Sequence, residues 1–199
     1  MYTRVVTFTG TKDLDGGVRF VKDQVAPVLR QQHGFKGLTT SVDRSGAVLG
    51  VLSLWDTEAD RDASQRALAK TREEGQSIIG GTMTIENFEE LLLDVAEVPA
   101  IGSSLLIRRI SMDPARIDEN IDFFKREVLP QIKASPGYRA ARNMINRQTG
   151  EGIVGTVWTD NASMEAAAEA AEARRQQAAQ QRVTFGEQSR REIAFAEMP

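Results

Sequence analysis

The sequence predicts an α+β fold built from two copies of one βαββαβ unit. Three observations predict it: a long internal repeat, helical periodicity alternating with strand periodicity inside each copy, and a two-faced strand ending in tryptophan. Phe20, Val25, Pro27, Gly34, Phe35, Arg44 and Trp55 recur as Phe123, Val128, Pro130, Gly137, Tyr138, Arg147 and Trp158, all at one offset (158 − 55 = 103 residues). A constant offset over a helix, two strands and their turns means a duplication. The period is too long for a solenoid unit and suits a small domain. The predicted organisation is repeat one at 1–96, a linker at 97–102 and repeat two at 103–199.

Each unit opens on a strand. Residues 2–9 are rich in β-branched and aromatic types. Their counterpart is Ser104 to Met112, with the register between copies uncertain by a residue because the following loops differ. A helix follows, marked by Leu14, Val18, Val21, Val25 and Leu29, and by Ile117, Ile121, Phe124, Val128 and Ile132. In the second copy Asp113 is its cap and Pro114 its first residue. Pro27 and Pro130 each remove a hydrogen bond late in the run and predict a bend over the sheet.

Gly34 and Gly137 end these helices, and second strands follow near 36–43 and 139–147. Turns at Asp43-Arg44-Ser45-Gly46 and Asn146 to Gly150 lead into third strands, Ala47–Trp55 and Gly152–Trp158. Alternation gives each third strand two faces. One carries Val51, Ser53 and Trp55, or Val154, Thr156 and Trp158; the other carries Gly50, Leu52 and Leu54, or Ile153, Gly155 and Val157. The wholly apolar second set is expected under the helices, and the tryptophan set on a bare face.

Second helices are predicted over Ala59–Glu74 and Met164–Arg182, the latter rich in strong helix formers, and last strands over Ile85–Asp94 and Gln188–Glu197. The order βαββαβ is that of a ferredoxin-like sandwich with one uncovered sheet face. A bare face carrying Trp and Val is not left in water, and the linker, stiffened by Pro99, is short. The two sheets are therefore expected to pack face to face as an intramolecular barrel with a cavity between them.

Composition narrows function. Of 199 residues 41% are hydrophobic and 27% charged, ordinary for a globular chain, and the net charge is −3. Residues 1–102 hold 11 Lys/Arg against 15 Asp/Glu, and residues 103–199 hold 14 against 13, so neither half is basic enough for nucleic acid. The doublets Arg108-Arg109, Arg174-Arg175 and Arg190-Arg191 are interleaved with acids and read as solvated faces. No apolar run is long enough for a membrane span and no leader is evident, which points to the cytoplasm. With no cysteine and one histidine, thiolate chemistry is excluded and no metal motif exists, so no metal is expected.

The residues resemble the dimeric α/β-barrel superfamily, and within it the antibiotic biosynthesis monooxygenase type of domain. The resemblance rests on the element order, on Val25-Pro27 to Gly34-Phe35 and Val128-Pro130 to Gly137-Tyr138, and on a tryptophan strand leading to an acid-capped helix (Leu54-Trp55-Asp56-Thr57-Glu58; Val157-Trp158-Thr159-Asp160). Members commonly pair two single-domain chains, so this chain resembles such a pair fused into one, a pseudo-dimer; whether it dimerises further stays open. The resemblance implies oxidation of a small hydrophobic or aromatic molecule by O2 with no cofactor, neither metal nor flavin. A haem-degrading branch carries an axial histidine on the second helix; here Ser64, Gln65, Ala167 and Ala168 occupy those places.

The expected ligand-binding residues are Trp55, Trp158, Ser53 and Thr156, with Tyr138, Asn143 and Arg142 giving the second copy a polar wall where the first has Phe35, Thr40 and Thr39. His33 is the one side chain whose ordinary pKa lies near neutrality, at the end of a helix and away from that set. No catalytic residue is assigned. The alternative reading is a non-catalytic small-molecule binder or a structural protein.

Overall fold

Tyr2 and Ser104 each stand opposite a tryptophan, Trp55 and Trp158, in antiparallel ladders of the computed structural model. The first strands are thus related by 102 residues (104 − 2), one fewer than the rest, which settles their register. The structure describes residues 1–179 and 183–197, the side chains of 173–179 excepted. Predicted helix residues 180–182 and the Arg174-Arg175 side chains lie outside the described residues.

The elements are β1 (Tyr2–Thr9), α1 (Leu14–Phe20), α2 (Ala26–Arg30), β2 (Phe35–Asp43), β3 (Val48–Trp55), α3 (Glu58–Ala67), α4 (Ala69–Ile79) and β4 (Thr82–Val95). The second repeat supplies β5 (Ser104–Ser111), α5 (Ile117–Phe123), α6 (Leu129–Lys133), β6 (Tyr138–Ile145), β7 (Glu151–Trp158), α7 (Asn161–Ala179) and β8 (Thr184–Glu197). Strand order is β1-β3-β2-β8-β5-β7-β6-β4, closed into one barrel.

The chain clusters into two compact units, Met1–Asn87 with the segment from Arg191, and Phe88–Arg190. β4 and β8 contribute to both because each is 14 residues long. The later part of β4 pairs with β6 (Glu89↔Ile145 to Val95↔Ala140), inside the second unit. The later part of β8 pairs with β2 (Leu38↔Glu197 to Val42↔Glu192), inside the first.

The first helix of each repeat is not a single bent α-helix. Val21–Val25 and Phe124–Val128 are π-helical turns that end two residues before Pro27 and Pro130. A proline cannot donate to the preceding turn, and widening that turn is one way to absorb the lost bond without breaking the helix. The second helix of repeat one divides at buried Leu68 into α3 and α4, then runs on to Ile79, past the predicted end at Glu74.

Gly34 and Gly137 both adopt positive φ, at 71° and 79°. A Cβ there would lie 2.4 Å from Asp60 Oδ2 or 2.5 Å from Ser163 Oγ, so glycine is required twice for the same reason: the strand start sits against the next helix's first turn.

Candidate functional site

In each unit a cavity lies between the sheet and the helices. In the second unit it encloses about 160 Å³. Its floor is Leu106, Ile110, Val154, Thr156 and Trp158, and its roof includes Phe124, Val128, Ile132, Ala167 and Ala168. In the first unit it encloses about 60 Å³, with floor residues Arg4, Phe8, Val51 and Ser53 under Phe20, Val21, Val25 and Leu29.

The tryptophan face of the third strand is therefore the helix-covered face, a correction of the sequence expectation. Two physical details mislead the alternation argument. Trp55 Nε1–H donates to Ser53 Oγ at 3.0 Å and Trp158 Nε1–H donates to Thr156 Oγ1 at 3.0 Å, so the polar groups of that face satisfy one another in an apolar layer. The opposite face reads as apolar because its glycines make room for arginines. A Cβ on Gly50 would meet Arg191 Nη1 at 2.2 Å, and one on Gly155 would meet Arg142 Cγ at 3.4 Å.

Three of the seven predicted residues, Trp158, Thr156 and Asn143, line the second cavity, and Ser53 lines the first. Trp55 is fully buried in the apolar core of its unit. Tyr138 packs edge-on to Trp158, with ring centroids 5.9 Å apart at 75°, as Phe35 does to Trp55 at 5.6 Å and 68°. Its hydroxyl turns away and donates to Asp94 Oδ1 at 2.7 Å, while Lys133 Nζ donates to Asp94 Oδ2 at 2.8 Å. Burial, then the Asp94 hydrogen bond, hold the Tyr138 phenol far above its ordinary value, so it stays protonated. Arg142 points to the other face, 3.3 Å from fully buried Glu90.

Among the polar cavity residues that were not anticipated are Asn120 and Arg108. Asn120 sits on α5 between Ile117 and Ile121, a polar residue on an apolar helix stripe, which is the pattern that would have revealed it. Arg108 lines the wall and donates to the Gly186 carbonyl at 3.0 Å. Asn120 and Asn143 are 6% and 5% exposed, and both amide oxygens lack a hydrogen-bond partner among the described residues. Asn120 Nδ2 reaches the Met112 sulfur at 3.4 Å. Buried amide oxygens without partners cost stability, and here both belong to the wall of one cavity.

The units differ through a few substitutions at equivalent places. Arg4 stands where the second unit has Leu106, and Ser64 where it has Ala167. The guanidinium of Arg4 enters the first cavity and donates to Ser64 Oγ at 3.0 Å and Asn87 Oδ1 at 3.1 Å. The places that match the haem-degrading branch's axial histidine hold Ser64, whose hydroxyl accepts from Arg4, Gln65, and Ala167 and Ala168, whose methyl groups cannot ligate iron.

No family model matches the chain. Among solved structures, a candidate monooxygenase of Fusobacterium nucleatum subsp. nucleatum superposes with a TM-score of 0.74 at 12% identity, covering 99% of this chain and 94% of that one. This chain has the fold of a dimeric α/β barrel. An anthrone oxidase-like protein shares the same barrel with a TM-score of 0.68 at 14% identity, over 99% of this chain and 92% of that one. By sequence, the barrel is 25% identical over 166 residues to the uncharacterized protein Rv2557 of Mycobacterium tuberculosis, which spans 83% of this chain and 74% of that one. Among the described residues of the barrel, no helix is long and apolar enough to cross a membrane.

Proposed function

We propose that this chain is a cofactor-independent, monooxygenase-like enzyme that takes a small aromatic or hydrophobic molecule into the cavity of its second unit. The observation that carries the reading is that cavity: about 160 Å³, walled by Trp158, Phe124 and aliphatic side chains, with two buried amide oxygens unpaired. An apolar cavity of roughly 150 Å³ is enough for benzene, so the cavity accommodates one aromatic ring. Asn120 and Asn143 fit the hydroxyl hydrogens of a phenol or quinol. Arg108, a permanent cation at the wall, stabilises the phenolate from which electrons pass to O2. For a phenol the balance is one oxygen atom to a ring carbon and one to water, the O–H and C–H hydrogens leaving with the latter, which gives a quinone. The names of the barrel's structural neighbours, a candidate monooxygenase and an anthrone oxidase-like protein, support this class.

A second reading, a non-catalytic binder of the same ligands, is favoured by one feature. No carboxylate, histidine or lysine is among the described residues lining the cavity, so the wall offers no general base. Oxygen uptake and tryptophan quenching with a panel of phenols and quinols, on wild type and on Trp158→Phe, separate the two. Saturable quenching with oxygen consumption that falls in Trp158→Phe supports the enzyme. Quenching without consumption leaves the binder, and no quenching by any compound removes both.

A further inference from the structure

The helices that follow the tryptophan strands keep the repeat offset. Thr57 Oγ1 accepts from the Asp60 N–H and Asp160 Oδ1 accepts from the Ser163 N–H, so the two first turns are capped at equivalent places (160 − 57 = 103). Ala171 on α7 therefore stands where the first unit has Leu68 (171 − 68 = 103). Leu68 is 7% exposed, lines the first cavity and belongs to the core cluster that holds Phe8, Val21 and Trp55. Ala171 lines the second cavity.

The other exchanges do not account for a cavity of about 160 Å³ beside one of about 60 Å³. Leu106 for Arg4 and Ile110 for Phe8 remove side-chain atoms, but Phe124 for Val21, Asn120 for Gly17 and Thr156 for Ser53 add at least as many. On the second helices, Ala167 differs from Ser64 by one hydroxyl. Gln65, the counterpart of Ala168, is exposed and does not line the first cavity. Among the described residues of these helices, Leu68 to Ala171 is the exchange that takes a buried aliphatic side chain out of the lining. Ala167 and Ala171 are one helical turn apart and share the cavity face, so open space stands where the first unit has a leucine.

We infer that Ala171 is the specificity-determining residue of the second cavity, holding open the room for one aromatic ring and setting the limit that excludes two fused rings. The inference rests on the proposed binding of an aromatic ligand there, and it concerns ligand size, not turnover. An apolar cavity of roughly 150 Å³ holds benzene, so about 160 Å³ leaves no space for a second ring. One methylene more or less in a hydrophobic pocket changes discrimination roughly 10–200-fold, and leucine at this place adds more than one. Ala170, the residue before it, is exposed and outside the lining, which makes it the control position.

Tryptophan quenching of the full chain by phenol, the methylphenol isomers and 2-naphthol tests the assignment. The wild type is expected to bind phenol at least about tenfold more tightly than 2-naphthol. Ala171→Leu is expected to weaken phenol at least about tenfold, and Ala170→Leu to leave it unchanged. Ala171→Gly is expected to raise the affinity for at least one methylphenol relative to phenol by about threefold or more, a change of ratio that loss of stability alone does not produce. Should Ala171→Leu not fold by circular dichroism, the Ala171→Gly ratio decides alone. A wild type that no compound quenches removes the aromatic-ligand reading and this inference with it. With phenol bound, three results would each overturn the size assignment alone: equal affinity for 2-naphthol, undiminished affinity in Ala171→Leu, or an unchanged methylphenol ratio in Ala171→Gly.

Discussion

The indole nitrogen of Trp158 donates to Thr156 Oγ1 at 3.0 Å, two residues back on the same strand face. Both residues are almost fully buried, so the pair closes its polar account within an apolar layer. Removing the hydroxyl in Thr156→Val keeps the shape and orphans a buried N–H. The expected loss is about 1–3 kcal/mol of unfolding free energy, read from urea denaturation. Ser53→Ala is expected to act in the same direction through Trp55. Unchanged urea midpoints in both variants would show that the bond is not what satisfies the indoles.

Asn143 presents the opposite situation, a buried amide oxygen already without a partner. Asn143→Leu is nearly isosteric and removes that penalty. The variant is expected to be more stable than the wild type by about 1 kcal/mol while losing affinity for phenolic ligands. A variant that is less stable in the absence of ligand contradicts the assignment of that oxygen as unpaired. Stabilisation with ligand affinity retained would instead remove Asn143 from the binding wall.

Much of the fold was legible because the chain states it twice. The constant offset from Phe20 to Trp55 defined helix, turn and strand in both copies, and the glycine-aromatic pairs at Gly34-Phe35 and Gly137-Tyr138 fixed where strands begin. The face of the third strand was misread because alternation reports composition, not partners. A threonine that serves a tryptophan looks polar, and a glycine that accommodates an arginine from a neighbouring strand looks apolar. The π-turns escaped because a proline late in a helical pattern implies strain without saying how it is absorbed. Arg4 escaped because its partners Ser64 and Asn87 lie 60 and 83 residues away, and nothing next to it in the sequence names them.

The difference in volume between the two cavities suggests a direct test of the larger one. Ala167 and Ala168 leave its roof open over Trp158, whereas the first unit closes the corresponding space with Ser64 and Arg4. Ala168→Leu adds apolar atoms to space that is empty, so the usual overpacking penalty is small. Stability within about 1 kcal/mol of the wild type is expected, together with at least a tenfold loss of aromatic-ligand affinity by tryptophan quenching. Undiminished affinity would place the ligand elsewhere.

The lone histidine gives a clean pH probe. His33 Nδ1 lies 2.6 Å from Asp60 Oδ1, with the ring almost fully exposed. The hydrogen bond to Asp60, then its charge, raise the His33 pKa above its ordinary 6.5. Asp60 is shifted down, first by the Thr57 hydroxyl and next by His33. The signs give two separate windows. The histidine's contribution is fully present below its unfolded pKa and disappears as pH rises through the elevated folded value. The aspartate's contribution is present above its unfolded pKa and disappears as pH falls through the depressed folded value. The single imidazole resonance, followed by NMR titration, is expected to show a midpoint above 6.5 in the wild type that returns toward 6.5 in Asp60→Ala. A wild-type midpoint at or below 6.5 would mean that the pair does not persist in solution.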